Sequence, residues 1–342
     1  MQKKQMKISI RNHRSCFLIF LFLPLYLLSC KKEEQKTASK PVSTEIKKDS
    51  LISQKNKLDN FNIFEIYTME NGSNYNIFIS LSDIYTDSLA IPPEIIANQK
   101  NLSFDKLKHF ELPATYREKL LKGTKLKEND TLYLYNYKSN ILEKFSVKKL
   151  KAVAHLSLYT SEGEDISEYD YMIGFQLNKT ENEEIAMEKA NFALAYFGKQ
   201  NPFNQKPLKS IHWKKVSADQ FPLKTQHKSL KAGNIYEYKT ENLQYFLQDL
   251  MRETEVVERK LMVLKNGKHI FEKDYTLGEG SAFTSLNSVE SNEYNDYQWT
   301  GNLFKGKPPV IFGFISQSFG CPSIAFLDQK HPEIYTNCDN RH

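Results

Sequence analysis

The chain has 342 residues, 47 Lys and Arg against 41 Asp and Glu, and 13% aromatic residues. Five of the basic residues (Lys3, Lys4, Lys7, Arg11 and Arg14) lie in the first fourteen positions, so the formal charge of +6 falls to +1 beyond them. A balanced charge gives no reason to expect nucleic acid, and about 310 remaining residues suffice for one large domain or two ordinary ones.

The N-terminus is a basic stretch without acids, then an apolar run from Phe17 to Leu28 that contains Pro24, then Ser29 and Cys30. This is the layout of an export signal, and the run is shorter than the roughly 20 residues a spanning helix needs. Leu27-Leu28-Ser29-Cys30 resembles the lipobox of bacterial lipoproteins. The resemblance implies cleavage before Cys30, loss of Cys16, and a mature chain held to a membrane through lipidated Cys30. Buried methylenes contribute roughly 0.8 kcal/mol each to such an anchor. Lys31-Lys32-Glu33-Glu34-Gln35 resembles the surface-export signal of Bacteroidota lipoproteins; a solvated charged tether accounts for the same five residues. Residues 1–29 are therefore expected as signal peptide and 30–58 as flexible tether, too polar to fold.

Structure is expected from Phe61. Phe64–Met69 and Tyr75–Ile79 flank Asn71-Gly72 as a β-hairpin. After Pro92-Pro93, Pro113 opens a short helix through Tyr116–Leu121 that Gly123 stops. Thr131–Tyr137 and Ile141–Val147 alternate around Lys138-Ser139-Asn140 as a second hairpin, and Ala152–Tyr159 and Tyr171–Leu177 add two strands. The clearest helix is predicted over Glu181–Phe197. Thr180 and Glu183 would make its capping box, Ile185, Lys189, Phe192, Ala193 and Tyr196 one face, and Gly198 its C′ residue. Residues 59–200 are thus expected as an N-terminal α+β domain.

Residues 201–231 carry Pro202, Pro207 and Pro222, many lysines and one acid, Asp219, and are expected as a basic connector. Residues 232–342 follow as a β-rich C-terminal domain. Ile235–Tyr238 is strand-like, and Asn242–Met251 fits helix and strand equally. Val256–Leu264 and His269–Tyr275 around Asn266-Gly267 form the strongest hairpin. Gln298–Phe304 and Val310–Ile315 read as further strands. The predicted class is α+β, mostly antiparallel β.

Candidate chemistry is sparse. Cys321 and Cys338, the two cysteines left after processing, read as a disulfide in an exported chain; the alternative is Cys321 as a nucleophile, with His331 the nearest histidine. In the connector, Lys209, His212, Trp213, Lys214 and Lys215, then Lys224, His227, Lys228 and Lys231, interleave cations with aromatics and are a candidate site for an anionic polymer or lipid headgroup. A solvated charged face gives the same pattern. Glu162, Glu164, Asp165, Glu168 and Asp170 crowd one loop but match no calcium-loop spacing, and Glu290, Glu293 and Asp296 show less pattern still. Gly278-Glu279-Gly280-Ser281 reads as a turn. No zinc, phosphate-loop, dinucleotide or nucleophile-elbow motif occurs, so no metal or cofactor is expected and a non-catalytic role is favoured. Gly313–Ile324 (GFISQSFGCPSI) is the most distinctive stretch and reads as a shaped loop. The expected function is a lipid-anchored envelope protein with a non-catalytic role, either binding an anionic envelope polymer or a protein partner or maintaining the envelope. A polymer hydrolase and a toxin-immunity or inhibitor lipoprotein are the alternatives.

Overall fold

A computed structural model describes residues 62–71, 74–82, 90–222, 229–289, 296–318 and 320–339, which fall within one compact unit. Cys16, Cys30, the signal peptide, the tether, Phe61, Gly72, Lys224, His227, Lys228, Glu290 and Glu293 lie outside the described residues. The strands, in chain order, begin with β1 (Ile63–Phe64), β2 (Tyr67–Asn71), β3 (Asn74–Ser80), β4 (His109–Glu111), β5 (Thr131–Asn136), β6 (Ile141–Ser146) and β7 (Lys151–Leu156). They continue with β8 (Tyr171–Thr180), β9 (Ala193–Gly198), β10 (Lys209–Ser210), β11 (Lys214–Val216), β12 (Lys231–Lys239), β13 (Leu243–Arg252) and β14 (Glu255–Lys265). The last are β15 (Lys268–Thr276), β16 (Ser281–Phe283), β17 (Trp299–Gly301), β18 (Val310–Phe312), β19 (Ile315–Gln317), β20 (Ser323–Phe326) and β21 (Ile334–Tyr335).

These strands form four sheets and a ribbon. The first sheet runs β2-β3-β8-β7-β4, the second β1-β9-β5-β6, the third β10-β17-β18-β20-β21 and the fourth β11-β12-β13-β14-β15; β16 and β19 pair by themselves. All the paired strands are antiparallel, and with few helices the molecule is α+β with β dominant.

The two-residue period of the strands sorts side chains into a stack. On β5, Leu132 and Leu134 enter a core shared with Ile77 and Ile79 of the first sheet, while Tyr133, Tyr135 and, just past the strand, Tyr137 face Trp299, Val310 and Phe326 of the third. On the third sheet, Ile311 and Ala325 turn the other way, onto Tyr245, Leu247, Leu261 and Val263 of the fourth. The order is therefore first, second, third and fourth sheet with a core between each pair. Burying one such Leu or Val contributes on the order of 2 kcal/mol.

The predicted hairpins form, but the strand expected over Phe64–Met69 is divided: Phe64 belongs to β1, paired with β9, and β2 begins at Tyr67. Asn71 pairs with Asn74, β5 with β6, and β14 with β15 across Asn266 (φ 49°) and Gly267 (φ 75°), the left-handed pair that matches strand twist. Asn242–Met251 resolves as strand, because β12 and β14 satisfy its backbone on both sides.

Two helix expectations are corrected. The helix Ala114–Thr124 starts after Pro113 but runs through Gly123, because Thr124 is buried with Leu120 and Leu121; it ends at left-handed Lys125 (φ 61°). The helix predicted over Glu181–Phe197 covers only Glu183–Phe192, and Ala193–Gly198 is β9. Its N-cap is Asn182, whose side chain accepts from the Ile185 N–H, so Thr180 and Glu183 make no capping box. ALAYFG fits both periods, but β1 and β5 flank it: Ala193, Ala195 and Phe197 fill one core and Leu194 the next.

Candidate functional site

Cys321 and Cys338 lie at disulfide distance, their Cα atoms 5.5 Å apart. The pair anchors the tail where Thr336 N–H donates to Pro322 O at 2.9 Å and Asn337 N–H donates to Ile63 O at 2.6 Å. Paired sulfur is no nucleophile, and His331 is engaged with Asp328, Nδ1 to Oδ2 2.8 Å.

The basic cluster is not gathered into one patch. Trp213 is buried, its ring edge-on to Phe314. His212 is exposed, Nδ1 2.7 Å from Ser288 Oγ. Lys214 and Lys215 lie on β11, the edge strand of the fourth sheet, where successive side chains point to opposite faces. Lys209, on β10, reaches a groove. In the acidic loop, the Glu164 and Asp170 carboxylates accept from the Ser161 and Ser167 N–H groups and close local turns. Among the described residues no group of three or more His, Cys, Asp or Glu could hold a metal ion.

Two large grooves face solvent, and neither is lined by histidine. The first, of about 940 Å³, opens where the third and fourth sheets end. Lys206 and Lys209 come from the chain around β10, Lys265 from the end of β14, and Lys330 from the loop after β20. All four are exposed, and none has an ion-pair partner among the described residues. Leu243, Ile270, Pro308, Pro309 and Leu327 supply apolar lining. Tyr245 also lines this groove; its hydroxyl meets Thr300 Oγ1 at 3.0 Å, and burial pushes its pKa up to about 12. Two carboxylates line the groove, Glu241 and Asp328. Asp328 is committed to its own turn. Burial works to raise its pKa, but the amide and ring nitrogen of His331 and the Lys330 amide outweigh this and hold the carboxyl below its usual range.

The second groove, of about 950 Å³, is lined by Tyr67, Tyr137, Tyr159, Tyr275, Tyr297 and Tyr335, and by most of the Gly313–Ile324 stretch. Tyr159 and Tyr335 are 68% and 66% exposed, and Met187 and Tyr297 are exposed beside them. Among the described residues its carboxylates are Glu65, Asp274, Asp296, Glu333 and Asp339, against one ammonium, Lys273, which is hydrogen-bonded to Glu333. Tyr275 stacks on Phe314 with ring centroids 4.6 Å apart, and burial with the Glu333 charge raises its pKa.

This groove's wall is held by a buried amide network. Asn287 N–H donates to Gln298 Oε1 at 3.0 Å, and Asn287 Nδ2 donates to Gln298 O at 3.0 Å. Gln298 Nε2 donates to Thr284 Oγ1 (2.8 Å) and Gly313 O (3.1 Å). Gly313 has φ +89°, and a Cβ there would lie 1.9 Å from Tyr297 O, so only glycine fits. Gly278-Glu279-Gly280-Ser281 turns the chain out of β15 into β16, with Ser281 Oγ accepting from Gly278 N–H at 2.6 Å. The Gly313–Ile324 stretch, expected as a shaped loop, contains β19 and the start of β20; the tyrosines and the lysines at 206, 265 and 330 lie too far apart in sequence to signal a site.

Compared with protein-family models, curated proteins and solved structures, the chain matches none.

Proposed function

We propose that this is a non-catalytic binding protein of the bacterial cell envelope, anchored through lipidated Cys30 as an outer membrane lipoprotein. It captures an anionic envelope polymer in the lysine-rimmed groove. The lipobox residues Leu27-Leu28-Ser29-Cys30 support the anchor. The observation that carries the ligand class is the convergence of Lys206, Lys209, Lys265 and Lys330 from separate segments on one groove, with apolar surface between them. Paired lysines would be held by their partners. Cations without them are free to meet sulfate, phosphate or carboxylate groups, while Leu243, Ile270 and Pro308 pack against the polymer backbone.

The test is binding of fluorescent dextran sulfate to the full chain, purified from membranes in detergent. Lys206→Glu with Lys209→Glu and Lys265→Glu should weaken binding at least tenfold; Lys214→Glu with Lys215→Glu, on β11, should change it less than twofold. Binding should fall as salt rises. Equal loss in both variants, or no binding by the natural protein, refutes the groove. A Cys30→Ala form that stays in the membrane fraction refutes the anchor.

A further inference from the structure

We propose that the tyrosine-lined groove receives an extended basic peptide segment, which adds as a third strand to β19. The ribbon supplies the first observation. β19 pairs only with β16 among the described residues, and all three β19 residues line the groove whereas none of β16 does. The groove therefore runs along the edge of β19 that faces away from its partner.

The pairing register fixes which backbone groups face it. Thr284 N–H donates to Phe314 O and Ser318 N–H to Gly280 O, so Phe314, Ser316 and Ser318 turn their polar backbone toward β16. By the alternation of an antiparallel ladder, Ile315 and Gln317 turn their N–H and C=O groups outward, along the groove. Among the described residues no backbone partner meets them there. Such an edge is a template for strand addition, and natural edges are normally covered or charged.

Charge and side-chain type choose the occupant. Among the described residues that line the groove five are carboxylates and one is an ammonium, which is hydrogen-bonded to Glu333, so the lining favours Lys or Arg on the incoming strand. Tyr159, Tyr297 and Tyr335 stand exposed around it, large amphipathic surfaces that lose little entropy on ordering and that attract cations over their faces. An alternating basic peptide meets both walls: its backbone the β19 edge, its cations the carboxylates and tyrosine rings. This site is separate from the lysine-rimmed groove, so either proposal can fail alone.

The experiment measures fluorescence anisotropy of three labelled eight-residue peptides with the detergent-solubilised full chain. One peptide alternates Lys and Val, one alternates Glu and Val, and the third is the Lys-Val peptide N-methylated on alternate residues. The basic peptide should bind, the acidic one at least tenfold more weakly, and the N-methylated one at least tenfold more weakly although its charge is unchanged. Tyr335→Ala and Asp296→Lys, both changes to groove-lining side chains, should each weaken the basic peptide at least threefold. The thermal unfolding curve by circular dichroism should be unaltered by Tyr335→Ala, which shows that this variant is folded. Equal binding of the N-methylated peptide overturns strand addition. Equal binding of the acidic peptide, or no binding of the basic one, overturns the proposal.

Discussion

Asp249 and Arg259 face each other across β13 and β14 and are buried to 1% and 3% exposure. Arg259 Nε donates to Asp249 Oδ1 at 3.1 Å, Arg259 Nη1 donates to Thr284 O at 3.0 Å, and Tyr236 Oη donates to Asp249 Oδ2 at 3.2 Å. The guanidinium also lies 4.9 Å from the Phe283 ring. The pair therefore ties the fourth sheet to β16, whose partner β19 is the groove wall. Asp249→Asn keeps the shape but removes the carboxylate charge that faces the buried guanidinium, at a cost of about 3 kcal/mol or more. For a domain of this size that lowers the melting temperature by roughly 10 °C. Asp249→Leu combined with Arg259→Met removes both charges and the desolvation penalty with them, and should be far less destabilised than either single change. Thermal unfolding followed by circular dichroism, with urea midpoints as a second measure, reads both. An Asp249→Asn melting temperature within 2 °C of the natural protein, or a double variant that loses the sum of the singles, refutes the reasoning.

Three further outcomes follow from buried groups elsewhere. Burial, helped by His109, pushes the pKa of His155 from 6.5 down to about 3. Its neutral form is the folded one, so the stability it contributes is complete above pH 6.5 and falls, on the order of 1.4 kcal/mol per pH unit, as pH drops toward 3. His155→Phe, set edge-on to Phe78 like the native ring, should unfold at a lower pH in an acid titration; an unchanged acid midpoint contradicts this. Gly313→Ala forces Tyr297 O aside and should destabilise by about 2 kcal/mol or more in urea unfolding, with basic-peptide binding lost before dextran sulfate binding. Reduction of Cys321–Cys338 opens a short loop worth on the order of 3 kcal/mol, so the melting temperature should fall, and alkylation before mass measurement should label these two thiols only after reductant.

The local hairpins were legible because each carries its own instructions. Asn266-Gly267 between two alternating runs fixes the turn and the pairing beside it, up to the register shift between Val263 and Leu264, and the β-dominated α+β class followed from the same alternation. Cys321 and Cys338 were legible by count alone. Ala193–Gly198 was not: the segment satisfies a helical and a strand period equally, and only β1 and β5, 133 and 57 residues away by their register partners Ile63–Tyr196 and Asn136–Ala193, decide between them. The grooves were illegible for the same reason. Lys206 and Lys330, or Tyr67 and Tyr335, become neighbours only once four sheets stack, and sequence spacing carries no trace of that stacking. The sequence by itself determined the turns, the strand alternation and the cysteine pair, because those depend on backbone sterics and nearest neighbours. The tertiary structure alone decided the β9 conformation and both grooves, because these depend on backbone partners and side chains supplied from distant parts of the chain.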